Sequence, residues 1–150
     1  MKWMGLAIAC GLSLAAAATA WADDAETTAF APIQAFADGM NTGDAAKAGA
    51  AYTPAAGIID EFAPHHWASF GEWAKDADAY FKAGGVTNLH IAMSAPSNKE
   101  VEATQAYAVV PTTLTYDTKG KPTVEKGLFT FSLAKTPVGW RITGWAWSTL

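Results

Sequence analysis

Large apolar residues recur at steps of three and four near the start of the chain. Phe30, Ile33, Phe36 and Met40 fall on one stripe of a helix expected over about Glu26–Asn41. Asn41-Thr42-Gly43-Asp44 then supplies a stop and a restart. Gly43 can take a left-handed conformation, and Asp44 can cap a short second helix running to about Tyr52, which Thr53-Pro54 ends. Gly57 to Phe62 reads as a strand: it is short, carries Ile58-Ile59 and is bounded by Ala-Ala-Gly and Ala-Pro. Alternation puts Ile58, Asp60 and Phe62 on one face of it and Ile59 and Glu61 on the other. Ser69-Phe70-Gly71-Glu72 has capping-box spacing, in which the hydroxyl and the carboxylate each satisfy an amide of the first helical turn. The helix that follows carries Phe70, Trp73, Ala74, Ala77, Tyr80 and Phe81 at helical spacing, and Gly84-Gly85 can close it.

After Gly85 the period changes to two, predicting strands at about 87–94, 100–116, 123–135 and 140–148. Pro96-Ser97-Asn98, Asp117-Thr118-Lys119-Gly120 and Thr136-Pro137-Val138-Gly139 are the turns between them, short enough to make successive strands antiparallel neighbours. Two changes of phase interrupt the alternation. Val101, Ala103, Tyr107 and Val109 share one parity and Leu114 and Tyr116 the other, so a bulge or bend is expected at Pro111. Trp140 and Ile142 likewise disagree with Trp145 and Trp147, which places a second bulge at Gly144. Strands curved in this way against helices enclose an interior, the geometry of a ligand cavity.

Helices first, then a curved antiparallel sheet with one strand between the helices, define an α+β roll. The stretches IQAFADGMNTGD, GIIDEF and GWRITGWAWS resemble the SnoaL-like, ketosteroid isomerase-like members of the nuclear transport factor 2-like superfamily. The resemblance spans roughly Ala29 to Leu150. It implies a cystatin-like, cone-shaped roll with N-terminal helices packed on a mostly antiparallel sheet, and a small-molecule site within it.

The first residues change the expected size of that domain. Lys2 is followed by an apolar run from Trp3 to Ala20, then by Ala20-Trp21-Ala22 before Asp23 and Asp24, the order of a secretory signal cleaved after Ala22. Residues 23–150 are then one exported domain, periplasmic or secreted, with no membrane association after cleavage. Cys10 lies in the discarded segment, so the mature domain has no disulfide, thiolate ligand or cysteine nucleophile. Without Lys2, nine Lys and Arg stand against fourteen Asp and Glu, a formal charge of about −5. An acidic surface without a basic cluster excludes nucleic acid as a partner.

The chemistry concentrates in GIIDEFAPHHWASFGEW, where Asp60 and Glu61 precede His65 and His66. The resemblance implies a proton-abstracting carboxylate at the end of the first strand, and overlays it on Glu61 with Asp60 adjacent. Alternation argues for Asp60, which shares its face with Ile58 and Phe62. Only one of the two is expected to face the interior. The same overlay puts the family's hydrogen-bond-donating tyrosine at Phe36 and its donating acid near Phe129, neither of which can donate. Each missing donor costs about 10²–10³ in rate, so steroid isomerase activity is not expected. His65 and His66 are candidate substitutes, since imidazole titrates near neutral pH. His65, His66 and His90 with either carboxylate are acceptable zinc ligands, yet adjacent histidines point apart and no helical His pair exists, so no metal site is expected. Serine nucleophile catalysis has no elbow motif here and no phosphate-cradling glycine loop appears; no cofactor is expected. Trp67, Trp73, Tyr80, Tyr107, Phe129, Trp145 and Trp147 are the rings expected to line a cavity for a small apolar or aromatic molecule, with His90 and Gln105 among its polar contacts. The function expected is small-molecule binding, with general acid/base catalysis of an isomerase, cyclase or lyase type. The alternative is a non-catalytic module whose sheet buries its outer face in a homodimer.

Overall fold

A computed structural model describes residues 24–150; the N-terminal apolar run, Cys10 and the cleavage expected after Ala22 lie outside them. The first helix, α1 (Asp24–Thr42), buries Ala29, Ile33, Phe36 and Ala37 along the stripe its spacing predicts. In α2 (Ala45–Ala50), Asp44 caps the helix as expected, its carboxylate accepting from the Lys47 amide at 2.9 Å.

Here the expectation of a helix to Tyr52 fails. Strand β1 (Tyr52–Ile59) begins earlier than the Gly57 start the composition suggests, and contains Thr53-Pro54. It pairs in parallel with the last strand, and the ladder is interrupted between Tyr52 and Gly57, so the missing Pro54 amide falls where no regular bond is needed. The chain leaves the strand after Ile59, passes through a tight turn and forms the two-residue β2 (His66–Trp67) against Ile58 and Ile59. Ser69 then caps α3 (Phe70–Gly84), accepting from the Glu72 amide at 3.2 Å. The Glu72 carboxylate accepts from the Ala68 amide at 3.1 Å, one residue ahead of the capping-box partner. Gly85, left-handed at φ 69°, closes the helix.

The remaining strands are β3 (Val86–Met93), β4 (Asn98–Val101), β5 (Gln105–Thr118), β6 (Lys121–Thr136) and β7 (Gly139–Thr149). They give one seven-stranded sheet in the order β2-β1-β7-β6-β5-β3, with β4 also pairing β5. Among the described strands only the β1–β7 pair is parallel. The single long strand expected over 100–116 is two strands, β4 and β5, folded back at Glu102, whose amide donates to the Gln105 carbonyl at 2.8 Å. The bend expected at Pro111 is also absent: β5 and β6 pair without a shift from Gln105 to Thr118. Pro111 sits where β5 passes from β3, whose pairing ends at Thr112, to β4, whose pairing begins at Val109, so its missing N–H faces the gap between partners. The apparent change of phase arises because small Ala106 and Ala108 face the core while Tyr107 and Val109 face outward. The second bulge is real. Ser132 pairs Gly144 and Leu133 pairs Ile142, leaving Thr143 as the extra residue. Gly144 is required there, because a Cβ would lie 2.5 Å from the Gly57 carbonyl oxygen.

Helices and sheet meet at Phe36, which is fully buried. Its ring lies edge-on to Tyr52 at 5.7 Å, Phe129 at 6.0 Å and Phe70 at 6.3 Å, and stacks on Trp145 at 6.3 Å. Edge-to-face and offset pairs of this kind contribute about 0.5–1.5 kcal/mol each beyond area burial. Among the described residues no helix is long and apolar enough to cross a membrane.

Candidate functional site

Between α1, α3 and the concave face of the sheet lies a cavity of about 330 Å³. Phe36 and Met40 of α1, Ile91 of β3, Leu114 of β5, and Phe129, Trp145 and Trp147 of β6 and β7 form its apolar walls. Trp73, Tyr80 and Phe81 of α3 and Phe62 of the turn after β1 complete them. Tyr80 is 55% exposed and marks the rim, its ring stacked on Phe62 at 4.7 Å. The β3–β5 register shifts between Thr87 and His90, with Asn88 at φ 56°, and this irregularity accompanies the placement of Leu89 in the lining.

The polar part of the lining is acidic. Asp60, Glu61 and Glu125 all reach it. The expectation that only one of Asp60 and Glu61 faces inward assumed strand alternation, which ends at Ile59; in the turn beyond, both line the cavity. One Asp60 oxygen accepts from Trp73 Nε1 at 2.8 Å and the other from the Glu61 amide at 2.7 Å. Burial pushes the Asp60 carboxyl above its ordinary value of 3.8; the two hydrogen bonds pull it back, and the charges of Glu61 and Glu125 push it up again. Glu61 accepts from the Thr149 amide and hydroxyl, each at 2.7 Å. Glu125 accepts from Tyr116 Oη at 2.8 Å and Trp147 Nε1 at 3.2 Å, and the Thr149 hydroxyl, whose one proton lies between the two glutamates, is 3.1 Å from Glu125 and 2.7 Å from Glu61. Burial first, and then donation to Glu125, raise the Tyr116 hydroxyl to about 12.

The sequence profile of the SnoaL-like domain family matches residues 29–150. The chain belongs to this family. Solved structures agree on the fold. A ketosteroid isomerase-like protein from Erwinia carotovora atroseptica is 19% identical with a TM-score of 0.69, over 85% of this chain and 98% of that one. A nuclear transport factor 2-like superfamily protein from Salmonella enterica is 18% identical with a TM-score of 0.67, over 79% and 85%. A protein with a cystatin-like fold from Novosphingobium aromaticivorans is 16% identical with a TM-score of 0.68, over 84% and 82%. No curated protein matches the chain. The roll is therefore that of the nuclear transport factor 2-like superfamily, as the sequence resemblance implies.

Several residues singled out in the sequence lie elsewhere in this SnoaL-like domain. His65 and His66 are exposed and outside the lining. The turn folds His65 back, its amide donating to the Phe62 carbonyl at 2.9 Å, and its ring Nδ1 lies 3.2 Å from the Asp60 carbonyl oxygen, not the carboxylate. His66 pairs with Ile59 at the sheet edge. Trp67 is buried behind the cavity, its Nε1 donating to Asp76 at 2.9 Å and its ring 4.8 Å from Phe62. His90 is exposed, beyond the irregularity in β3. Tyr107 and Gln105 are on the outer face of β5, in a shallow depression with Ser132 and Thr143. Trp73, Tyr80, Phe129, Trp145 and Trp147 do line the cavity, alongside both carboxylates. Glu125 was missed although it shares parity with Phe129 and Phe131 in β6, a signal present in the alternation; Tyr116 and Thr149 were missed with it. Among the described residues no group of three or more His, Cys, Asp or Glu is gathered closely enough to hold a metal ion.

The lining can move a proton. Asp60 is desolvated and held by two N–H donors in an apolar wall, so it can take a proton from a bound molecule or return one. Phe36 and Phe129 both line the cavity and offer no donor where the family resemblance puts its two.

Proposed function

We propose that this SnoaL-like domain binds a small apolar or aromatic molecule in the cavity, and that Asp60 is the general acid/base group acting on it. The observation that carries this reading is the Asp60 carboxyl itself, raised above the ordinary range within walls of Phe62, Trp73, Trp145 and Trp147. A carboxylate poised in this way accepts a proton from a carbon acid more readily than one in water, and hands it back in an isomerase, cyclase or lyase-like step. Glu61, favoured by the family overlay, is exposed and engaged at both oxygens by Thr149, whereas Asp60 is the carboxylate that burial desolvates. The chemistry is limited to substrates that form an enolate-like intermediate with little help, since the side-chain donors within the cavity are Tyr80 at the rim, Thr118, whose hydroxyl is paired with Thr123, and groups already bonded to carboxylates.

The test is to purify the protein from its own host and identify, by native mass spectrometry and crystallography, what the cavity retains. An organic molecule against Asp60, with Asp60→Asn retaining binding and losing turnover of that molecule, supports the reading. A cavity that retains nothing and takes up no apolar compound from a screened set overturns it.

A second reading, the homodimer, is favoured by one row across the sheet. Ile59, Ala146, Thr130 and Val109 are in register on the outer face, and Ile59 is 54% exposed. We propose that this row packs against a second copy. Sedimentation of the wild type and Ile59→Asp tests it, with monomeric wild type the refuting result. Export with cleavage after Ala22 is likewise part of the proposal, and the N-terminal mass of the host-purified protein decides it.

A further inference from the structure

We infer that the molecule this cavity takes carries a positive charge: an ammonium group on an apolar or aromatic body. The inference rests on the cavity-binding reading above and adds the charge of the occupant. The charged side chains in the lining are Asp60, Glu61 and Glu125; no Lys, Arg or His lines the cavity, and the ring of His65, outside it, meets the Asp60 carbonyl oxygen and not a carboxylate. None of the three takes part in an ion pair among the described residues, where Lys47, Lys82 and Lys99 pair with Asp38, Asp78 and Glu26. Their hydrogen-bond donors are neutral groups: indole, phenol, threonine hydroxyl and backbone amide. These hold the carboxylates in place without cancelling their charge.

A neutral occupant that displaced water from the cavity would leave that charge further desolvated, and an anionic one would meet it directly. An ammonium group offsets it. The indole rings point the same way. Trp73 and Trp147 line the cavity, but their N–H groups are committed to Asp60 and Glu125, so what they offer a ligand is ring surface. Ring surface next to carboxylates favours a cation over either alternative. A metal ion is the poorer candidate, because the acidic groups do not converge as a ligand set among the described residues. An organic cation whose apolar body enters toward Phe36 and whose charge stays beside the carboxylates satisfies both parts of the lining.

Three naphthalenes with the same ring position substituted test this by titration calorimetry at pH 7: naphthylmethylamine, naphthalenemethanol and naphthoate. The amine is expected to bind about tenfold tighter than the alcohol, a difference of ~1.4 kcal/mol, and naphthoate weakest. The amine-to-alcohol ratio is expected to fall toward one in Glu125→Gln, while Leu114→Trp, which fills the cavity, abolishes binding of both. The wild-type comparison decides the matter even where a variant does not fold. An alcohol that binds as tightly as the amine, or a naphthoate that binds tightest, overturns the charge assignment and leaves cavity binding standing. Amine preference that persists in folded Leu114→Trp assigns the effect to the surface and overturns it too. No binding by any of the three overturns this inference together with the reading it rests on.

Discussion

Replacing Trp73 by Phe removes the indole donor 2.8 Å from Asp60 and keeps an aromatic ring in place. A hydrogen bond to a charged group contributes about 1.5–3 kcal/mol. Asp60 is partly exposed to the cavity, where water can take the donor's place, so the expected loss is about 1 kcal/mol. That loss exists only while Asp60 is ionised. The smaller ring also leaves a void against Phe70 and Trp145, the ring neighbours of Trp73, which costs about 1 kcal/mol at any pH. The native carboxyl of Asp60 already sits above its unfolded value, so the native state binds more protons between the two, and this group's contribution to stability falls as pH rises through that window. Trp73→Phe lifts the native value further. Its destabilisation is therefore about 1 kcal/mol below the unfolded pKa of about 3.9 and about 2 kcal/mol at pH 7. Urea unfolding of both proteins at pH 3 and pH 7 measures the difference, and carbon-detected titration of the Asp60 carboxyl measures its cause. Equal destabilisation at the two pH values, or a lower Asp60 pKa in the variant, would refute the reasoning.

Phe36→Ala empties the centre of the aromatic cluster and is expected to cost about 3–5 kcal/mol in the same unfolding assay; a loss under ~1 kcal/mol would mean the helices and sheet are not joined through this ring. Gly127→Ala places a Cβ 2.5 Å from the Ser148 carbonyl oxygen and the Trp147 ring. The strain is expected to cost about 1–3 kcal/mol in a thermal melt and to displace Trp147 from Glu125, visible as a shift in the indole N–H resonance. Glu125→Gln removes the anion that accepts from Tyr116, so spectrophotometric titration is expected to show Tyr116 moving down from about 12 toward, but not reaching, 10.0 because burial is the larger cause.

What the sequence made legible followed from periodicity and capping. The stripe of α1, the Ser69 cap and the Gly85 terminus are local features, and each appears where its residues are. The bulge at Thr143 was legible because large Trp side chains on either side of Gly144 reported the change of face. At Pro111 the same argument misled: Ala106 and Ala108 are buried but too small to mark a face, so Tyr107 and Val109 set the apparent parity. The turn at Glu102 carries no glycine, proline or asparagine, and nothing in 100–107 separates a hairpin from one long strand. Asp60 and Glu61 were legible as candidates, but their shared orientation depends on the strand ending at Ile59. Thr149 joins Glu61 across 88 residues, a contact with no local signature.

The parallel pairing of β1 with β7 has a consequence for how the molecule comes to exist. β5, β6 and β7 can zip together from their tight turns, each contact lying close along the chain. The acidic wall cannot form that way. Tyr52 must find Ile142, and Glu61 must find Thr149, before Asp60 and Glu125 share one cavity. Closing so long a loop is the slow kind of step in folding. A chain cut before Gly139 lacks Trp145, Trp147 and Thr149, and with them one wall of the cavity and the donor to Glu61. β7, last among the described strands, is the one that closes the cavity wall.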